Sequence, residues 1–271
     1  MPREIQIGRV RATLLGALIA ASLAAPAMAE QVMLKPAAPA AAYHPAGRKI
    51  DVLGIVPGMA PDAVRAILVQ QYGDAKTIQE NMGLEFRGVA VSTQNYITRM
   101  TARKGPDDII VYFATPTTGN GVIEVTRQLT YTSVADAPLL SQVRKDLADQ
   151  YGPPAFDGPA VGTGEIQLMA WSYKGDQPGA CKASACRADF NDGLSVADLP
   201  TYQRAIRRGN ELVIIGVLLA SIADPTRASS VVTTVSDTAT KLRTLEAALK
   251  QMQAGATEKK PADKPDPKPR R

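Results

Sequence analysis

Few residues in this chain have types and spacing suited to chemistry. Cys181 and Cys186 stand in "ACKASAC" with four residues between them, which is not the C-x-x-C of a disulfide exchanger. In an exported chain two such neighbours are expected to form a structural disulfide; the rivals are reduced thiols or a metal site, and a metal would need further ligands that the sequence hardly offers. His44 is the only histidine and falls in a Pro/Ala-rich stretch. A Ser-His-Asp or Cys-His nucleophile therefore lacks a base in the body of the chain, and a zinc hydrolase built on two or three His is impossible. No GxxxxGK[ST] and no GxGxxG is present, so no nucleotide or other cofactor is expected. "DFNDG" at 189–193 has its Gly one residue too early for a calcium loop and lacks the closing Glu, so a turn is expected there. Glu85, Glu124, Asp189 and Asp192 could supply a carboxylate pair, but no spacing selects two of them. No catalytic, cofactor-binding or metal-binding residue is assigned, and the chain is expected not to be an enzyme.

The ends set the expected compartment and account for the charge. Residues 1–29 carry Arg3, Arg9 and Arg11, an apolar run from Ala12 to Ala25, and Ala27-Met28-Ala29 as a small-residue cleavage site. They read as a secretory signal peptide, which places the protein in the periplasm or outside the cell. Residues 30–49 read as a Pro/Ala-rich spacer and 254–271 as a disordered basic tail, because "TEKKPADKPDPKPRR" has too little apolar surface to offset its ordering entropy. The formal charge of +5 resides in these ends, with +2 in the signal and +3 in 257–271, leaving 30–256 neutral. A neutral body with only 13 aromatic residues argues against a nucleic-acid groove. No later stretch is long and apolar enough to span a bilayer.

These sparse groups would be held by a repeated element. "VRAILVQQYG" (64–73) and "VRKDLADQYG" (143–152) align without a gap. Pro61 and Asp62 suit a helix start, Val64, Ile67 and Leu68 form one stripe, and Gly73 is a natural stop. In the second copy Asp136 can cap, Pro138 sits in the first turn, Leu139, Leu140, Val143 and Leu147 form the stripe, and Gly152 with Pro153-Pro154 ends the helix. A short strand is expected at Asp51 to Val56 before the first helix. Strands are expected afterwards in "EFRGVAVST", "DIIVYFAT" and "VIEVTRQLTYTS", and, after the second helix, in "IQLMAWSY" and "ELVIIGVLLASI". Asp224-Pro225 then opens a long C-terminal helix, expected over 225–252, with Val231, Val235, Leu242, Leu245, Leu249 and Met252 on its stripe. Its outer half is either packed across the second sheet or turned toward a partner helix.

Within the first copy, "GIVPGMAPDAVRAIL" resembles the G-x-x-x-G-M-[ST]-x-x-x-V-x-x-x-L opening of SmpA/OmlA-type envelope domains, including the small lipoprotein of the outer-membrane β-barrel assembly machinery. The β-lactamase-inhibitor protein is similar in build. Gly54, Gly58, Met59, Val64 and Leu68 match; Ala60 stands where those domains have a Ser or Thr cap, and no lipid-attachment Cys is present. The resemblance implies open antiparallel sheets with helices on one face and a role in protein–protein binding. The expected fold is thus α+β, with two tandem helix-then-antiparallel-sheet units, 50–134 and 135–253, the second closed by the long helix. The expected function is that of an exported, non-enzymatic protein whose partner is another envelope protein, with neither nucleic acid nor stable membrane insertion. The alternative is a carboxylate-dependent hydrolase of the cell envelope.

Overall fold

The computed structural model describes residues 30–38, 47–48, 50–86, 88–160, 166–179 and 193–258. Twelve strands and four α-helices occur among them. In chain order they are β1 (Glu30–Val32), α1 (Pro61–Tyr72), β2 (Lys76–Glu80), β3 (Gly83–Phe86), β4 (Val89–Thr93), β5 (Tyr96–Lys104), β6 (Asp107–Phe113), β7 (Val122–Thr130), α2 (Leu140–Tyr151), β8 (Phe156–Pro159), β9 (Ile166–Lys174), β10 (Gln177–Pro178), α3 (Leu199–Arg207), β11 (Leu212–Ala220), β12 (Ala228–Asp237) and α4 (Thr238–Glu258).

The two tandem units expected from the repeat give way to one sheet. Nine strands form a single antiparallel array in the order β10-β9-β11-β12-β7-β6-β5-β2, with β8 also on the outer edge of β9. The join is β12 against β7, paired from Ser230↔Thr130 to Ser236↔Glu124. Thr126 and Thr234 face each other across it with hydroxyls 3.0 Å apart. The strand edge that would have bounded each unit is used up in this pairing. One core results: Val64 and Leu68 of α1 belong to the same buried cluster as Leu147 and Tyr151 of α2, together with Met100, Val111, Val125, Ile214, Trp171 and Val235. Both repeat helices lie on this face because each offers a single apolar stripe that the sheet can bury. A second, three-stranded sheet, β1-β4-β3, holds Glu30–Val32 parallel to β4.

The C-terminal helix is also corrected. It begins at Thr238, and residues 228–237, expected to be helical, are strand β12 between β11 and β7. "SSVVTTVSD" is rich in β-branched residues, whose χ1 stiffness favours a pleated surface. The helix gains its cap at the switch: Asp237 Oδ1 accepts from the Thr240 backbone N–H at 2.8 Å and Oδ2 from the Thr240 hydroxyl at 2.7 Å.

The segment before α1 is a tight turn in place of the expected strand. Val52 and Ile55 pair with each other, with Leu53 at φ 55° and Gly54 at φ 82°. The turn then docks on β7, since Gly58 N–H donates to Val122 O at 2.8 Å and Val122 N–H donates to Met59 O at 2.9 Å. A Cβ on Gly121 would stand 2.8 Å from the Gly58 carbonyl, so glycine at 121 is what allows this close approach. Asp136, expected to cap α2, lies ahead of the helix, whose N-cap is Leu139 with no side-chain hydrogen bond.

Candidate functional site

The shared "QYG" ends of α1 and α2 do different work. Tyr72 donates its hydroxyl to Asp107 Oδ1 at 3.0 Å, and Asp107 holds Arg127 through two bonds, 3.0 Å to Nε and 2.7 Å to Nη2. Burial, aided by the Asp107 hydrogen bond, pushes the Tyr72 phenol up to about 12, and the bond to Asp107 raises Arg127 further. Tyr151 is buried, meets Trp171 edge-on at 5.5 Å, and donates to the Asp51 carbonyl at 2.9 Å, which also receives Gln150 Nε2 at 2.9 Å. Desolvation raises its phenol as well. Trp171 Nε1 donates to Gly152 O at 2.8 Å and Tyr173 donates to Tyr151 O at 2.8 Å. The end of α2 is thereby fastened to both the sheet and the 51–54 turn.

Between α2 and that turn lies a cleft of about 370 Å³ on the centre of the sheet. Its walls are Val52, Leu53, Val143 and Leu147; its floor is Val231, Leu129 and the locked Arg127, and Asp146 and Gln150 stand at the rim. The cleft offers apolar contact with a charged edge. Among the described residues its one lining cation, Arg127, is neutralised by Asp107.

The opposite face carries a polar row. Ser236, Glu124, Tyr112 and Arg99 are register partners on β12, β7, β6 and β5, so their side chains emerge on the same side. Lys241 of α4 descends on Glu124 to make an ion pair whose side chains are 1% and 0% exposed. Lys241 Nζ also sits 5.5 Å from the centroid of the Tyr202 ring, which belongs to α3. Thr118 and Thr244 join hydroxyls beside it. At the Arg99 end is a second cavity, of about 450 Å³, closed by Met82, Gly83 and the segment 193–196.

Of the carboxylates singled out in the sequence, the two described ones, Glu85 and Glu124, are not brought together. Glu85 is exposed on β3, and Glu124 is interior and matched to lysine. Asp189 and Asp192 lie outside the described residues, as do Cys181 and Cys186. Among the described residues no group of three or more His, Cys, Asp or Glu is placed to hold a metal ion, and no helix is long and apolar enough to cross a membrane. Arg99, Arg127 and Lys241 were not anticipated. The sequence did hold a signal for one pair: Glu124 interrupts the apolar "VIEV", and Lys241 falls on the stripe 238, 241, 245, 248, 252 that α4 buries.

No family model, curated protein or solved structure matches this chain.

Proposed function

We propose that the protein is an exported, periplasmic, non-enzymatic binding protein that engages another envelope protein through the cleft beside α2. The observation that carries this reading is the cleft itself: walled by Val52, Leu53, Val143 and Leu147, edged by Asp146, and, among the described residues, without convergent acid–base groups. Such a surface takes an apolar anchor side chain from a partner and orients it by charge at the rim. The signal-like residues 1–29 and the likeness of 54–68 to SmpA/OmlA-type envelope domains support the same reading. A photo-crosslinking residue placed at Val143 in the native envelope should give one discrete adduct. The same residue at exposed Gln253, on the other face, should give none. Equal labelling from both positions, or none from either, would remove the reading.

A further inference from the structure

We propose that the cavity at the Arg99 end of the polar row is a second binding site, for a small monoanionic carboxylate with an apolar body. Its decisive feature is Arg99. The Nε of this side chain is fully enclosed and has no hydrogen-bond partner among the described residues. The other interior cations are matched, Lys241 by Glu124 and Arg127 by Asp107. A fully enclosed Nε cannot itself meet a ligand, but Arg99 lines the cavity, and the terminal nitrogens of its planar guanidinium are the fork that a carboxylate fills.

The rest of the cavity selects the ligand's body and charge. Met82, Leu194 and Val196 supply apolar wall. The Tyr112 ring lies under Gly193, where an added Cβ would come within 3.0 Å, so a ring face is fixed beside Arg99. Tyr96 also lines the space, its phenol pushed up to about 12 by burial and by the Glu80 charge. Glu80 accepts from Thr98 Oγ1 at 3.0 Å and stands exposed at the mouth. A second negative charge on the ligand would meet this carboxylate, which disfavours phosphate monoesters and selects a single charge.

The test is calorimetric titration of the full mature chain with 3-phenylpropionate, phenyl phosphate and neutral 3-phenylpropanol. The acid should bind more tightly than either of the others. Arg99→Gln should weaken the acid about tenfold or more, the range of a charge-assisted hydrogen bond. Glu80→Gln should narrow the gap between acid and phosphate. A second readout needs no variant. In the wild-type protein, 3-phenylpropionate should slow arylglyoxal modification at Arg99 and leave Arg103, whose side chain is 72% exposed, unchanged. Equal affinity in wild type and Arg99→Gln, an alcohol bound as tightly as the acid, or no protection at Arg99 would overturn the assignment.

Discussion

Replacing Lys241 by Met leaves the Glu124 carboxylate in the interior without its cation. The lysine side chain is 1% exposed and the glutamate 0%, so water cannot take over the role of the lost partner. Removing one member of such a pair costs about 3–5 kcal/mol, because the survivor keeps its desolvation penalty and loses the attraction that offset it. Against a whole-domain stability of about 5–15 kcal/mol, that is a large share. Glu124→Gln should cost a similar amount by stranding the ammonium over Tyr202. Removing both charges together, in Glu124→Leu with Lys241→Met, should cost far less than the sum, since apolar groups of similar size relieve both penalties. The assay is urea unfolding of wild type, both single variants and the double variant, read as a double-mutant cycle with the slope m held common. The exposed pair Lys145–Asp149, 65% and 62% exposed, provides the contrast: Lys145→Met should change stability by about 0.5 kcal/mol or less. Two results would refute the reasoning: either interior single variant costing under about 1 kcal/mol, or a double variant equal to the sum of the singles.

Five further outcomes are expected. Asp237 is buried, and desolvation raises its carboxyl above the ordinary 3.8, opposed by its bonds to Thr240. The folded state therefore holds this proton more tightly than the unfolded state, and stability falls as pH rises from about 3.8 through the folded value. Melting temperatures of Asp237→Asn, which keeps an N-cap acceptor, should lack that decline. Leu147→Ala should cost about 2–5 kcal/mol in denaturant unfolding, since the side chain is buried and its Cδ1 fills the space over Gly216. By contrast Arg144→Ala, which removes a 2.6 Å pair with Asp157 at a partly exposed site, should cost about 0.5 kcal/mol. Gly121→Ala should cost about 1–3 kcal/mol by forcing the 57–59 turn off β7, read by the same unfolding curves. Intact-mass measurement with and without reductant should differ by the two hydrogens of a Cys181–Cys186 disulfide, and replacing both by Ala should cost about 2 kcal/mol.

The helices α1 and α2 and the strands β6, β7, β9 and β11 were legible, whereas β2, β5, β8 and α3 carried no clear pattern and the way the strands join was not legible. Pro61 and Gly73 mark α1 because fixed φ at one end and left-handed freedom at the other are properties of single residues. β6, β7, β9 and β11 announce themselves through β-branched and apolar runs. The misreading of 228–237 came from periodicity. Val231 and Val235 are four apart, a spacing that serves a helix of 3.6 and a strand of 2.0 equally. Only Thr233, on the same sheet face as both, separates the two, and its polarity hid it. The merger of two expected sheets depends on β7 and β12 finding each other across about 100 residues of chain, a long-range pairing that neither strand's local pattern names.

Register explains why the two cavities have opposite chemistry. Adjacent positions on β7, Glu124 and Val125, point to opposite faces of the sheet. On the Val125 side the apolar stripes of α1 and α2 cover the strands, and the cation that reaches that side, Arg127, is answered within the sheet by Asp107 on β6. On the Glu124 side the row Ser236, Glu124, Tyr112, Arg99 crosses four strands. α4 covers its centre and supplies Lys241, but the cover at the far end is the small sheet and the segment 193–196, which bring no carboxylate within ion-pair distance of Arg99 among the described residues. On that row, among the described residues, Arg99 is thus the guanidinium without an ion pair, at the point where a cavity opens beside it. Glu80, placed at the cavity mouth and held by Thr98, is too far to close the pair yet near enough to raise the Tyr96 phenol. That separation is what makes the charge of an incoming ligand, more than its shape, the quantity to vary first.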